Sequence, residues 1–102
     1  MKKVFISQPM RGLTNEEILA TRNLIKDKLE NYFNEPIEVL DSFVPIEPSN
    51  EVKHNPVWYL GRSIMLLAEA DVIYFARDWE HFRGCKIEYE IAMQYGIPAF
   101  AE

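Results

Sequence analysis

One carboxylate occupies an unexpected position in a helix predicted near the end of the chain. Residues 84–95 follow a loop-like stretch, and Gly96 and Pro98 after them are typical of a helix end. At about 100° per residue, the apolar side chains of this helix form one continuous arc. Its members are Gly84, Cys85, Ile87, Ile91, Ala92 and Tyr95. Glu88 lies inside the arc. The side of the helix opposite the arc carries the polar residues Lys86, Glu90 and Gln94.

A carboxylate on the apolar side of a helix is costly to bury unless it is paired or neutralised. One interpretation of Glu88 is a core acid that a neighbouring loop satisfies. The other is a catalytic acid, base or nucleophile in a cleft at the start of the helix, because perturbed carboxyl groups are frequent in active sites. The pattern by itself allows both.

A second candidate site is the loop Ser-Gln-Pro-Met-Arg-Gly, residues 7–12, between a predicted strand and a predicted helix. Backbone N–H groups and a helix N-terminus favour an anion at such a place. Arg11 could add a charge-assisted fork for phosphate, or it could be a solvated loop arginine. The loop is neither a Walker A motif nor a dinucleotide fingerprint.

Four other residues could carry chemistry. Cys85 lies at a helix start, where a thiolate is favoured, but free cysteines usually pack in the interior, and we predict a packing role. His54, His81 and Cys85 lack the compact spacing of a metal site, so we predict no metal and no other cofactor. Trp79 could wall a pocket and stack on a flat ligand, or it could pack in the core.

Composition limits the class of protein. The chain has 102 residues, enough for one domain, and a formal net charge of −5, which argues against a nucleic acid polymer as partner. The single cysteine excludes an internal disulfide. There is no apolar run of about 18 residues and no signal-peptide pattern, so we expect a cytoplasmic protein without a membrane partner. Because a domain of this size leaves a sheet edge and helix faces uncovered, we predict a homo-oligomer, a dimer or higher.

Strand and helix patterns alternate along the chain. The predicted strands are Lys3–Ser7, Ile37–Leu40, Asp71–Ala76 and Ile97–Ala101. The first helix begins at a Thr14–Glu17 capping-box pattern and runs to about Phe33. Its predicted inward side consists of Ile18, Thr21, Leu24 or Ile25, Lys28 or Leu29, and Tyr32. Residues 43–55 predict a loop, and Pro56 is predicted to open a helix over 57–69.

This alternation predicts an α/β fold of three layers, flavodoxin- or Rossmann-like, with a mainly parallel sheet of four to five strands and helices on both faces. Ligands in such sheets bind beyond the carboxyl ends of the strands. The loops at that edge are residues 7–13, 41–43 and 77–84, with Glu88 close by. Asp71 opens its strand at the opposite edge, so we predict a structural role for it.

Nearly the whole chain resembles the nucleoside 2-deoxyribosyltransferase superfamily, and especially its short bacterial and phage members. The resemblance rests on the Ser-Gln-Pro-Met-Arg-Gly loop, the Ala70-Asp71 pair before a strand, and the segment Arg-Gly-Cys-Lys-Ile-Glu at 83–88. It implies cleavage of the N-glycosidic bond of a nucleoside or nucleotide, with Glu88 as the nucleophile. The sugar then passes to another base, or to water in the related 2′-deoxynucleoside 5′-phosphate N-hydrolase branch. The implied substrate-binding residues are Ser7, Gln8, Met10, Arg11, Gly12, Ser63, Trp79 and Gly84.

The chain departs from the family pattern at three positions where the family has polar residues, namely Phe5, Ser63 and Phe82. The departures favour an alternative function, a non-catalytic nucleotide-binding protein that acts as a sensor or sequesters its ligand. A further alternative is an assembly module in which Glu88 is structural. The candidates for a general acid are chosen only by their location in the predicted loop 77–84, and they are Asp78, Glu80 and His81.

Overall fold

The computed structural model describes residues 1–41 and 47–102, and within them strands and helices alternate as predicted. The elements are β1 (Lys2–Ser7), α1 (Asn15–Phe33), β2 (Ile37–Val39), α2 (Asn55–Leu67), β3 (Val72–Phe75), α3 (Arg83–Tyr95) and β4 (Ala99–Ala101), with a short 3₁₀ turn at Trp79–His81. The bounds of α2 differ most from the prediction, because this helix begins two residues earlier and ends two residues earlier. The predicted loop is confirmed for residues 47–54, while 43–46 lie outside the described residues.

The described strands form one parallel sheet in the order β2-β1-β3-β4. Val4 pairs with Val72 and Ser7 with Phe75, so β1 and β3 end at the same edge. From β1 the chain moves to β2 on one side and later to β3 on the other. The strand order therefore reverses between β1 and β3, which is the place where open parallel sheets bind ligands.

Alternation along β1 builds a core on each face of the sheet. Val4 and Ile6 pack in the cluster that contains Ile25 of α1. Phe5 packs on the other face, in the cluster that contains Leu67 of α2 and Ala92 of α3. Since side chains two residues apart share a face, Ser7 points to the same side as Phe5, toward α3. These two cores confirm the three-layer α/β architecture.

The buried stripe of α1 is rotated from the predicted one. It consists of Ile18, Arg22, Ile25 and Leu29. Thr21 and Tyr32, predicted to face inward, are exposed. The prediction was wrong at these positions, and it did not include Arg22, which is buried and bonded to Gln8. Tyr32 instead packs its ring at the surface against other aromatic rings.

Asp71 lies at the amino edge of the sheet, as predicted. Its Oδ2 accepts a hydrogen bond of 2.8 Å from the backbone N–H of Lys3, and its own N–H donates to the Lys3 carbonyl. The carboxylate therefore ties the start of β3 to the start of β1. This contact gives Asp71 a structural role far from the carboxyl edge.

The start of α1 generates a stability prediction. The Thr14 hydroxyl accepts from the Glu17 N–H at 3.1 Å, and the Glu17 carboxylate accepts from the Thr14 N–H at 3.0 Å. We expect Thr14→Ala to lower the free energy of unfolding by about 1 kcal/mol, because helix N–H groups lose their cap. Urea unfolding measures this change. Thr21→Ala, an exposed threonine within the same helix, is the control, and an equal loss there would contradict a capping role.

Candidate functional site

Glu88 of α3 and Ser7 of β1 form a buried pair at the carboxyl edge of the sheet. The Ser7 hydroxyl donates a hydrogen bond of 2.7 Å to Glu88 Oε1. Only 6% of Glu88 and 2% of Ser7 is exposed. The sequence pattern predicted that Glu88 lies on the inward side of its helix, and this placement is confirmed. The bond joins two residues that are 81 positions apart in the chain.

Burial changes the acidity of Glu88. Loss of solvent raises its pKa to about 7, although the hydrogen bond from Ser7 acts in the opposite direction. The carboxyl group is therefore divided between its neutral and ionised forms near neutral pH. A group poised in this way can serve as nucleophile, base or acid with little change in conditions.

Cys85 is a buried neighbour of this pair. Burial raises the pKa of its thiol, the hydrogen bond with Ser7 lowers it, and the charge of Glu88 raises it further. The thiol therefore stays protonated, and a reactive thiolate is not favoured. This agrees with the predicted packing role, and the single free cysteine is buried as expected.

A cleft of about 620 Å³ opens beside Glu88. Its floor is the end of β1, and its walls are the beginnings of α2 and α3. The predicted site residues that the cleft brings together with Glu88 are Ser7, Gln8, Met10, Ser63 and Gly84. At Gly84 a Cβ atom would lie 4.0 Å from Leu60 Cδ1, so α2 and α3 come close there. The volume falls in the range of small-molecule sites.

Three predicted site residues lie elsewhere. Arg11 lines a second cavity of about 260 Å³, which shares Gln8 with the cleft, and Gly12 lines neither cavity. Trp79 stacks on Tyr89 with ring centroids 4.4 Å apart, and it also contacts Phe75. The core-packing interpretation of Trp79 is therefore confirmed. Loop side chains take these positions because of tertiary contacts that a sequence pattern does not contain.

Two basic residues of the cleft, His54 and Arg83, were not among the predicted ligand-binding residues. His54 directly precedes α2, and Arg83 is the first residue of α3. The sequence feature that could have identified these two residues is their position at the beginnings of two helices that reach the carboxyl edge of the sheet. The prediction for that edge selected Gly84 at the start of α3 and Ser63 of α2, but not the basic residue next to each helix start.

A second buried polar pair supports the floor of the cleft. Arg22 Nε donates a 3.0 Å hydrogen bond to Gln8 Oε1, and Gln8 Nε2 donates to the Ile18 carbonyl at 3.2 Å. Arg22 also lies 3.7 Å from the Asp41 carboxylate. Burial lowers the pKa of the Arg22 guanidinium, while the charge of Asp41 raises it. These contacts hold the Gln8 amide in a fixed orientation at the edge of the cleft.

The predicted apolar arc of α3 is wrong at two positions. Ile87 is 38% exposed because it faces the cleft, and Tyr95 is 80% exposed in the last turn. Gly96 follows with a φ of 66°, the left-handed conformation predicted for a helix C-terminus. The fully buried stripe that remains consists of Cys85, Glu88 and Ala92. Glu88 is therefore central in the buried surface of α3.

The three predicted candidates for a general acid lie outside the cleft. Asp78, Glu80 and His81 are exposed at the 3₁₀ turn, with ligand atoms within 4.8 Å of one another. Exposed acidic groups are common without a metal ion, and these three carry no further contact that indicates a ligand. Among the described residues that line the cleft, Glu88 is the single carboxyl group.

Comparison with known proteins supports the fold and goes no further. No protein-family model matches the chain, and no curated protein matches it either. The solved structure of a conserved protein from Enterococcus faecalis V583 is similar, with a TM-score of 0.65 at 14% sequence identity. The match covers 99% of this chain and 62% of that chain. At this identity the similarity concerns the fold alone.

In the described part of the chain, no helix has the length and apolar character that crossing a membrane requires.

The acidity of Glu88 generates a second prediction. Its pKa is higher in the folded chain, about 7, than its ordinary value of 4.5, so folding favours the protonated form between these values. Stability is therefore greatest below the lower pKa and falls as the pH rises toward 7, by roughly 3 kcal/mol in total. Glu88→Gln keeps an acceptor for Ser7 and cannot ionise. We expect this variant to be more stable than wild type at about pH 8 and similar at about pH 5.

Urea unfolding of both proteins at the two pH values measures the difference. Glu90→Gln is the matched control, since this exposed carboxylate lies two residues further along the same helix. The control should follow the wild-type pH dependence. A stability difference between wild type and Glu88→Gln that does not change with pH would show that Glu88 titrates normally.

Proposed function

We propose that this protein binds a 2′-deoxynucleoside or its 5′-monophosphate in the cleft and cleaves or transfers its N-glycosidic bond, with Glu88 as the nucleophile. The observation that carries the proposal is a buried carboxyl group, poised near neutral pH, in the wall of a cleft of about 620 Å³. A nucleoside fits a volume of this order. The resemblance of the chain to the nucleoside 2-deoxyribosyltransferase superfamily supports the same chemistry.

The reaction would proceed in two steps. Ionised Glu88 attacks the anomeric carbon C1′, and the bond between C1′ and the base nitrogen breaks with its electron pair going to the base, which takes up a proton from solvent. A second base or a water molecule then attacks C1′, loses a proton to solvent and releases the carboxylate, as in retaining glycoside hydrolysis. Ser7 stabilises the carboxylate through its hydrogen bond. Because the ionised form reacts, the rate rises as the pH increases through about 7.

A second candidate function is binding without catalysis. Retaining glycoside hydrolases use two carboxyl groups, whereas Glu88 is the single carboxyl in the described lining of the cleft. Phe5, at a position where the family has a tyrosine, is buried in the apolar core and brings no hydroxyl to Glu88. These observations favour a protein that senses or sequesters a nucleotide on the same fold.

Chromatography of 2′-deoxynucleosides and their 5′-monophosphates after incubation with protein, with and without a second free base, separates these functions. We expect base release or exchange by wild type, and a loss of about a thousandfold or more in Glu88→Gln because the nucleophile is removed. A sugar adduct on Glu88, detected by mass spectrometry, would identify the covalent intermediate directly.

Glu90→Gln is the control, because it removes an exposed carboxylate from the same helix and leaves the cleft unchanged. It should retain wild-type activity. Nucleotide binding without base release would support the second candidate. Absence of both binding and release would identify Glu88 as a structural acid and contradict both functions.

We also propose that the protein forms a homodimer through α2. This helix carries one charged residue, Arg62, in thirteen positions, and Leu67 is its one fully buried residue. Met65 is 72% exposed although it is apolar, whereas Val57, which is 66% exposed, lines the cleft. A helix with apolar side chains on all sides is typical of a buried element. A second copy of the chain would cover α2 with the same apolar surface, in a two-fold contact.

Sedimentation velocity tests this assembly. We expect Met65→Glu to shift the dimer to a monomer, because the carboxylate would be placed in the apolar contact. Leu24→Glu is the matched control, since Leu24 is 71% exposed on α1, on the opposite side of the sheet. It should remain dimeric. A wild-type protein that is monomeric at high concentration would contradict the proposal.

A further inference from the structure

The buried stripe of α1 contains one charged residue, as the buried stripe of α3 does. Arg22 is 6% exposed, and the other members of its stripe are the apolar residues Ile18, Ile25 and Leu29. Glu88 occupies the corresponding place in α3. The two helices pack on opposite faces of the sheet. The end of β1 therefore lies between a buried guanidinium on one side and a buried carboxyl group on the other.

These two buried groups bond to consecutive residues of the chain. Arg22 Nε donates to Gln8 Oε1 at 3.0 Å, and the Ser7 hydroxyl donates to Glu88 Oε1 at 2.7 Å. Successive side chains of a strand point to opposite faces, so one bond forms on each side of β1. A rotation of the backbone at this point would displace both bonds together.

The side chain of Gln8 anchors the backbone where the sheet ends. The ladder between β1 and β3 ends at Ser7, whose carbonyl accepts from the Ala76 N–H at 2.9 Å. Gln8, the next residue, accepts from Arg22 and donates to the Ile18 carbonyl at 3.2 Å. Both bonds go to α1. They fix the peptide that follows Ser7 at the point where strand pairing no longer does so.

Stability alone does not explain a charged residue at position 22. Burial lowers the pKa of the Arg22 guanidinium, while the charge of Asp41 raises it. The Asp41 side chain lies 3.7 Å away and is 69% exposed, so water screens this ion pair. An apolar side chain in the same stripe would avoid the cost of burying a charge. Residues that break a local pattern at such a cost are typical of functional sites.

We propose that Arg22 is a positioning residue of the candidate site. Through its bond to Gln8 it fixes the end of β1, and it thereby holds the Ser7 hydroxyl within hydrogen-bond distance of Glu88. A displacement of about 1 Å would lengthen the bond between Ser7 and Glu88 beyond that distance. This role does not depend on the proposed function, since the bond is present whatever the cleft binds.

The acidity of Glu88 reports the state of its bond to Ser7. Loss of solvent raises the pKa of Glu88, and the hydrogen bond from Ser7 lowers it. In the described chain, the other ionisable side chains that line the cleft are His54, Tyr59, Arg83 and Cys85. None of them is altered by a substitution on the α1 side of β1. A change in the pKa of Glu88 after such a substitution therefore measures what reaches it through the strand.

Titration of the Glu88 carboxyl carbon by NMR tests this role, with its resonance identified by its absence in Glu88→Gln. The main variant combines Gln8→Met with Arg22→Met, so that both polar partners are replaced by apolar side chains of similar length. We expect this double variant to fold, because no buried charge is left unpaired. The pKa of Glu88 should rise by about 0.5 or more, since the ionised carboxylate loses its donor. Ser7→Ala should raise it at least as much.

Two controls separate positioning from the charge of Arg22. When Ser7→Ala is already present, adding the double change should not raise the pKa of Glu88 further, because both act through one bond. Lys26→Met removes a positive charge from the same helix and leaves Gln8 unchanged. Its Glu88 should titrate as in wild type.

An unchanged pKa of Glu88 in the folded double variant would overturn the positioning role. A rise of the same size with and without Ser7 would also overturn it, because the charge of Arg22 would then act directly. A double variant that urea unfolding shows to be unfolded in buffer would assign Arg22 to stability and reject the role as well. Absence of base release from every nucleoside would contradict the proposed function alone, since the titration involves no substrate.

Discussion

The hydrogen bond between Ser7 and Glu88 is the constraint on which the candidate site depends. A carboxyl group that is 6% exposed must be neutral or well bonded, since an unpaired buried charge is costly. Here the protein provides one strong donor at 2.7 Å and a pKa near 7. The cost of keeping this group in the interior is a loss of stability as the pH rises from about 4.5 through about 7. A domain of this size has little stability in reserve, so such a cost is more typical of a functional residue than of a packing residue.

The architecture explains how the pair is formed. The two-residue period of β1 places Phe5 and Ser7 on the same face of the sheet. Phe5 packs in the core beneath α3, and Ser7 lies two residues closer to the carboxyl edge. On this face of β1, the apolar contact of Phe5 is therefore followed by the polar contact of Ser7 at the end of the sheet. At the same edge, Arg22 and Gln8 form a second buried polar contact on the other side of β1. Buried polar contacts on both sides of β1 hold the end of this strand, and the cleft is built on it.

The electrostatics of the cleft follow from the helices that surround it. Both α2 and α3 begin at the cleft, without side-chain caps, and each brings one basic residue to the rim.

The sequence by itself determined the features that depend on neighbouring residues. Alternating strand and helix patterns predicted the elements and the parallel sheet, the capping box predicted the start of α1, and helical spacing placed Glu88 on the buried side of α3. These patterns are local, with periods of two or 3.6 residues, and a single chain displays them directly. The carboxyl-edge rule then selected the part of the sheet where the cleft lies.

Only the tertiary structure decided which side chains meet there. Arg11 and Trp79 were predicted beside Glu88 but lie in other surroundings, whereas His54 and Arg83 were overlooked and line the cleft. Arg22 is buried although its residue type predicts exposure, because Gln8 offers it an acceptor. The physical reason is the same in each case. The direction of a loop side chain and the burial of a polar one depend on partners distant in sequence, which local periodicity does not encode.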